Sequence, residues 1–224
     1  MKKIVSILLI VAMSISLCAC GNSNKKAYKL SKEAYGNISA AYSIVDALGT
    51  DIYEAWQKGI YEESEPNFLE YLSNFTKLSY DELKLGYSAH SYGEKWEEWT
   101  EEKKDEILSN SAGVEASFNL DAALTDATFV VAVLSVISAY EETGKTKEAE
   151  AFLTSAKSQM KEMSEKFSDY EHYPALKEYY MATSSFLDYC KSPTGAFEEA
   201  KNTIGNYRNS ARDYQIGLEC FLED

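Results

Sequence analysis

The spacing of apolar residues near the two ends of the mature chain is the feature that most restricts its fold. Apolar or small side chains recur there in alternating steps of three and four residues. In the first segment they are Ala34, Ile38, Ala41, Val45, Leu48, Ile52, Ala55 and Gly59. In the last they are Phe197, Ala200, Ile204, Tyr207, Ala211, Tyr214, Leu218 and Phe221. This period predicts two long helices, each packing in a bundle by a narrow apolar stripe.

Other segments extend the helical pattern. Similar spacing follows Lys145 and Pro174. The segment 127–140 has no charged residue and is apolar on nearly every side. At about 1.5 Å per residue it spans roughly 21 Å, less than a bilayer core of about 30 Å. We therefore expect it to be the central helix of the bundle, and a second membrane anchor is the weaker alternative.

The middle of the chain is less regular. We expect one short helix from Phe68, a second after the capping box of Ser79 and Glu82, and a third over residues 94–108. No run alternates strictly enough to predict a strand. The chain is thus expected to be all-α, a bundle of about five to seven helices with long first and last helices.

The N-terminus has the organisation of an export signal. Lys2 and Lys3 precede an uncharged apolar run over residues 4–13, which is too short to span a bilayer. Residues 14–16 follow this run and lead to Leu17-Cys18-Ala19-Cys20. This motif resembles the lipobox of bacterial lipoproteins at Leu17, Ala19 and Cys20, whereas Cys18 departs from the usual small residue. The resemblance implies cleavage before Cys20 and a diacylglycerol on its thiol. An ordinary secretory signal with a chance cysteine is the alternative.

These features predict three regions: a lipoprotein signal peptide over residues 1–19, a flexible tether over 20–27, and a helical domain over 28–224. The polar composition after Cys20, Gly-Asn-Ser-Asn-Lys-Lys, is typical of a linker. The expected location is extracytoplasmic, on the outer face of the cell membrane and held there by lipid on Cys20. We favour the Gram-positive type of envelope.

Charge excludes some partners. The formal net charge of the chain is −14, and loss of Lys2 and Lys3 with the signal lowers it by two more, to −16. A chain this acidic repels nucleic acid, and no basic stripe or nucleic-acid motif is present. We expect no nucleic-acid partner.

Catalytic and metal-binding patterns are weak. The two histidines, His90 and His172, do not pair at metal-ligand spacing, and no Gly-x-Ser-x-Gly or phosphate-binding glycine loop occurs. Asp169, Glu171 and His172 could bind a metal if folded together, although a surface turn explains them equally well. The expectation is a protein that is not an enzyme, with no cofactor and no metal site.

The remaining cysteines are expected to stay unpaired. Cys190 ends one predicted helix and Cys220 lies near the far end of the next, roughly 38 Å away at about 1.5 Å per residue. A disulfide needs Cα atoms within about 7 Å. Two free, largely buried thiols are predicted.

Aromatic residues of the irregular segment are the candidate ligand contacts. They are Trp96, Trp99, Tyr87 and Tyr92. Trp96 and Trp99 are three residues apart and should share one helix face. Exposed aromatic rings could stack on sugars or hold a peptide, whereas anchoring of the core is the commoner role of such side chains.

The leading functional hypothesis is a membrane-anchored lipoprotein whose helical domain binds a ligand, or a protein, peptide or glycan partner, without catalysis. A structural or assembly factor of the cell envelope is the alternative. A metal-dependent hydrolase using His172 is the second alternative.

The lipid assignment is tested by growing cells with a radioactive fatty acid. The wild-type protein should carry label and Cys20→Ser should carry none, because the acylated thiol is lost. Cys18→Ser serves as the matched control and should remain labelled. An unlabelled wild type, or equal labelling of Cys20→Ser, would refute the assignment.

Overall fold

Helices account for the regular secondary structure of the described chain. The computed structural model describes the backbone of residues 2–125 and 127–222 and the side chains of residues 24–125 and 127–222. These residues form ten helices and no strand: α1 (Lys2–Tyr61), α2 (Phe68–Ser73), α3 (Tyr80–Tyr92), α4 (Glu94–Glu98), α5 (Glu101–Ser109), α6 (Ser111–Thr125), α7 (Thr128–Glu142), α8 (Lys145–Lys166), α9 (Tyr173–Lys191) and α10 (Phe197–Leu222). The all-α class and the long first and last helices are confirmed, but the expected five to seven helices are too few.

The apolar stripe of α1 is the centre of the packing. Its residues from Ala34 to Ala55 at the predicted spacing are buried, and they belong to one core that extends through the described chain. The stripe of α10 is only partly buried, because Tyr207 and Tyr214 are half-buried and Phe221 is exposed. The spacing therefore located the inner side of both helices, and α1 alone buries its stripe throughout.

Helices α7 and α8 follow α1 one after the other in the opposite direction. Gly59 of α1 lies against Phe129 at the start of α7. Farther along, Asn37 donates to Gln159 of α8 at 3.0 Å. Gly144 between the two helices has φ of 76°, a left-handed conformation that glycine adopts without strain. The chain is interrupted there without reversing, so α7 and α8 do not form a helical hairpin.

Helices α9 and α10 complete a four-helix bundle with α1 and α8. The hydroxyl of Tyr179 on α9 lies 3.4 Å from that of Ser39, and Cys190 lies near Gly49, so α9 runs parallel to α1. The ring of Phe197 at the start of α10 stacks on Tyr53 at a centroid distance of 5.7 Å. Helix α10 therefore returns antiparallel to α1, which gives the up-down-up-down order of many bundles.

Residues 20–27, which the sequence predicts to be a flexible tether, are part of α1. Lys26 forms an ion pair with Glu162 of α8 at 3.1 Å, and Ala27 is buried. The helix therefore contacts the bundle before residue 28. Cys20, the predicted lipid site, lies outside the residues whose side chains are described.

Cys190 and Cys220 are unpaired, as expected, but their surroundings differ. Cys190 is free and buried, whereas Cys220 is free and exposed. The prediction of two buried thiols is thus wrong for Cys220. Position 220 lies two residues after Leu218, outside the buried stripe of α10.

Helices α2 to α6 pack around α7 and the C-terminal part of α1. The capping box predicted at Ser79 and Glu82 is present. The helix predicted over residues 94–108 is divided in two, because Trp99 is extended and Thr100 caps a new helix by accepting from the backbone N–H of Lys103. Helix α6, which begins at Ser111, was not predicted.

A buried carboxylate joins three parts of this region. Asp51 of α1 is fully buried. It accepts hydrogen bonds from the backbone N–H of Lys77 at 2.8 Å and from the hydroxyl of Tyr140 on α7 at 2.9 Å. Burial raises the pKa of Asp51 to about 6, although both hydrogen bonds and the nearby Lys145 and Lys77 act to lower it. The network fixes α7 and the segment before α3 on α1.

Among the described residues, no helix has the length and apolar character needed to cross a bilayer. Residues 127–140, for which a second membrane anchor is the weaker interpretation, lie almost entirely in α7. Most of α7 is instead buried, with α3 on one side and α1 on another.

Substitution of Gly86 by Ala should destabilise the protein. A Cβ at this position of α3 would overlap the carbonyl oxygen of Ser135 and also meet Ala139 on α7. Backbone is the obstacle, so we expect the free energy of unfolding to fall by at least about 2 kcal/mol, measured by urea denaturation. Gly36→Ala is the control: nothing lies within 4 Å of a Cβ there, and stability should rise by up to about 1 kcal/mol. Equal stability of Gly86→Ala and wild type would contradict the close packing of α3 on α7.

Stability should fall with rising pH because of Asp51. Its folded pKa of about 6 exceeds the ordinary 3.8, so the folded state holds the proton more tightly. Protonated Asp51 therefore contributes roughly 3 kcal/mol to the free energy of unfolding below about pH 4. This contribution is lost as pH rises through 6. Urea unfolding of wild type and Asp51→Asn between pH 4 and 7 should show this fall only in the wild type. Asp105→Asn, at an exposed position of α5, is the control and should show the same fall in stability as the wild type. A parallel pH profile for Asp51→Asn would contradict the assignment.

Candidate functional site

The four aromatic residues selected from the sequence lie in one region of the structure. The ring of Tyr92 lies 4.8 Å from that of Trp99 and 6.5 Å from that of Trp96, measured between centroids. Trp96 and Trp99 are 6.1 Å apart. Tyr87 and Tyr92 both line a cleft between α3, α5 and α6. The irregular middle segment therefore does gather its aromatic side chains.

These four residues differ in exposure. Trp96 is 1% exposed, and its indole N–H donates to Glu142 at the end of α7 at 3.1 Å. Trp96 is thus a buried side chain that attaches α4 to the end of α7 and not a free contact, which corrects the expectation for this residue. Trp99 is half-buried, and it does not share a helix face with Trp96 because it lies at the break between α4 and α5.

Tyr87 is also mainly a packing residue. It is buried, with its ring edge-on to Phe118 at 5.5 Å. Its hydroxyl donates to Asp121 of α6 at 2.7 Å, and burial together with this carboxylate raises the pKa of Tyr87 well above its ordinary value. Tyr92 is 38% exposed. Of the four candidates, Tyr92 is the ring most open to a ligand.

We call the space between α3, α5 and α6 the distal cleft. Its volume is about 230 Å³. The lining side chains and glycine are Tyr87, Ser88, Tyr92, Glu106, Ile107, Asn110, Gly113, Val114 and Ser117. Glu106 is the only charged residue in this lining, and it also bonds Lys103 at 2.8 Å. The cleft therefore combines an aromatic ring with hydroxyl and amide groups and has little net charge.

Lys84 holds the walls of the distal cleft together. This largely buried side chain of α3 donates to the backbone carbonyl of Leu108 at 3.1 Å and to the hydroxyl of Ser111 at 2.9 Å. Leu108 lies in the last turn of α5, where exposed carbonyl groups favour a cation. The junction of α5 and α6 is thereby attached to α3.

Asn110 and Gly113 shape the same junction. The side-chain oxygen of Asn110 accepts from the backbone N–H of Gly113 at 3.1 Å. A Cβ at Gly113 would overlap the side-chain amide of Asn110. The glycine allows the amide to remain beside the first turn of α6, where it lines the cleft.

Ser88 is one of the cleft residues that sequence reasoning missed. It is 1% exposed, lines the cleft, and its hydroxyl has no hydrogen-bond partner among the described residues. A buried polar group without a partner costs about 1–3 kcal/mol. Thr183 has the same property, but it lies in α9 and lines none of the clefts described here. No sequence signal distinguishes Ser88 from the many other serines.

Two other concave surfaces have different chemistry. A cleft of about 310 Å³ is lined mainly by apolar residues, among them Trp56, Phe129, Val133 and Ile137. A wider depression of about 790 Å³ lies where residues 24–28 meet the segment between α8 and α9. Neither lining includes a buried polar atom without a partner.

The possible metal ligands near His172 lie in an ordinary turn. The His172 ring stacks on Phe221 at 4.7 Å, and its Nε2 lies 3.4 Å from a carboxylate oxygen of Glu171. Within the described ranges, no three His, Cys, Asp or Glu side chains are arranged to hold a metal ion. His90 lies on α3, where burial lowers its pKa.

Comparison with known proteins gives no relative. No family model matches the chain, and neither a curated protein nor a solved structure is significantly similar to it.

Proposed function

We propose that the chain is a membrane-anchored extracytoplasmic lipoprotein whose helical domain binds a small ligand or partner group in the distal cleft without catalysing a reaction. The observation that carries the proposal is Ser88, which lines the cleft and whose buried hydroxyl has no partner among the described residues. A ligand with a polar group would supply that hydrogen bond.

The distance along α1 between the predicted lipid site and the cleft supports this role. The predicted lipid on Cys20 precedes the end of the bundle at which Lys26 pairs with Glu162. From Asn24 to Asp51 the helix α1 rises by roughly 40 Å, at about 1.5 Å per residue. Helices α3 to α7 pack near and beyond Asp51. An anchor at Cys20 would hold the cleft well above the membrane, where it would meet ligands from outside the cell.

The lining of the cleft supports binding over catalysis. Apart from its tyrosines, Glu106 is the one ionisable residue that lines it. Acid–base and nucleophilic mechanisms depend on a positioned group together with a partner that activates or orients it. A single carboxylate paired with Lys103 is better suited to accepting a hydrogen bond from a ligand.

The alternative is a structural or assembly factor of the cell envelope. Its supporting observation lies on α6, where Leu120 and Leu124 are 59% and 75% exposed. Residues four apart share one side of a helix, so the two side chains present an apolar surface outside the cleft. A protein neighbour in the envelope would cover it.

The binding proposal is tested by blocking the cleft. Ser117 is an exposed residue of α6 that lines the cleft, so Ser117→Trp should fill the opening and leave the core intact. Ser155→Trp, at an exposed site on α8, is the matched control. A chemically diverse library of small molecules is screened against each protein by ligand-observed NMR.

We expect the screen to identify compounds that bind the wild type and Ser155→Trp but do not bind Ser117→Trp. The loss follows from steric exclusion, since the cleft has a volume of only about 230 Å³. Thermal unfolding of both variants should remain close to that of the wild type. If no compound is lost on Ser117→Trp, the cleft has no binding role and the structural alternative is favoured.

A further inference from the structure

The groups that line the distal cleft are suited to a particular class of ligand. Tyr92 offers part of an aromatic ring, supported by Trp99 at 4.8 Å. Ser88 and Ser117 offer hydroxyl groups, and Asn110 offers an amide. Glu106 adds a carboxylate. Aromatic surface, neutral hydrogen-bonding groups and a single acceptor carboxylate therefore meet in one small space.

A sugar ring has matching chemistry. One of its faces consists of C–H groups, which pack against an aromatic ring, and its edge carries several hydroxyl groups. A hydroxyl both donates and accepts hydrogen bonds. A sugar hydroxyl would therefore satisfy Ser88 in either orientation, donate to Glu106, and either donate to or accept from the amide of Asn110.

Charged ligands fit the cleft less well. No Lys or Arg lines it, and the chain has a formal net charge of −14, so an anion would be repelled. The carboxylate of Glu106 already has a cation, Lys103, at 2.8 Å. Lys104 lies over the ring of Trp96 at 5.4 Å. The nearby carboxylate and buried indole thus already have cationic neighbours, which disfavours a cationic ligand.

The volume of the cleft further restricts the class of ligand. The cleft volume of about 230 Å³ lies just below the usual range for ligand sites, which begins at about 300 Å³. It suits one ring and is too small for a folded peptide segment with its side chains. A longer glycan would place one terminal ring in the cleft and the rest outside it.

We propose that the distal cleft binds a neutral saccharide, with the C–H face of one sugar ring against Tyr92 and its hydroxyl groups on Ser88, Asn110 and Glu106. This inference rests on the proposed function, because it names the ligand class of the same cleft. It assigns Tyr92 the stacking contact and Ser88 the buried hydrogen bond.

The experiment uses the protein purified from membranes in a detergent that carries no sugar. Binding is measured by ligand-observed NMR with neutral hexoses, N-acetylhexosamines and their short oligomers. Free amino acids, dipeptides and choline are tested under the same conditions. We expect saturable binding of at least one neutral sugar, and no saturable binding in the other three groups.

Variants then identify the contacts. Tyr92→Ala should weaken sugar binding at least tenfold because the stacking ring is lost, whereas Tyr92→Phe keeps the ring and should stay within about twofold of the wild type. Ser88→Ala should weaken binding about three- to tenfold. Tyr61→Ala, at an exposed site outside the cleft, is the control and should bind as the wild type does.

The outcomes separate this inference from the proposed function. Binding of an amino acid, dipeptide or choline that is lost on Ser117→Trp, without sugar binding, overturns the saccharide assignment and leaves the binding role standing. Sugar binding that Tyr92→Ala and Ser88→Ala leave unchanged overturns the assignment to this cleft. Absence of binding by every sugar tested overturns it as well, whatever the diverse library shows.

Discussion

Burial of one side of α1 is the constraint on which the rest of the structure depends. Its stripe combines small and larger apolar residues, and α7, α8, α9 and α10 all pack on this helix. Small residues let the neighbours approach closely: the ring of Phe186 lies against Gly49, and the backbone of Phe129 lies against Gly59. Loss of contact with α1 would expose apolar surface on four helices at once, so their folding is coupled through it.

Polar contacts then select one arrangement of those helices. Apolar burial has no direction, and a stripe of aliphatic residues would tolerate some sliding of a neighbour along α1. Asp51 restricts this freedom because its two oxygens accept from Lys77 and Tyr140. Arg208 does the same for α10 by binding Asp46 and donating to Thr50 at 2.6 Å. Because this structural role keeps Asp51 buried, its pKa is raised to about 6 and the carboxyl group is partly neutral at mildly acidic pH.

The distal cleft results from the way in which the chain breaks its helices. Thr100 starts a new helix after Trp99, and Asn110 separates α5 from α6. The break between α5 and α6 lies beside α3, and the gap there is lined by Ser88 and Asn110. Lys84 keeps the gap in a fixed shape by holding the junction at Leu108. The cleft and the division of the helices are therefore linked, since the residues at the helix breaks also form walls of the cleft.

The sequence by itself determined the all-α class, the inner side of α1, the cap at Ser79 and the aromatic character of the candidate region. These follow from the helical period and from local hydrogen bonds, which depend on residues only a few positions apart. Only the tertiary structure decided that Trp96 is buried while Tyr92 is open, and that Ser88 is buried without a partner among the described residues. Exposure and hydrogen bonding of a side chain depend on which distant helix covers it. A spacing of three to four residues indicates the buried face of a helix but not which helix packs against that face. The sequence therefore located the region of the candidate site, and the packing of α3 with α5 and α6 decided which of its residues face the cleft.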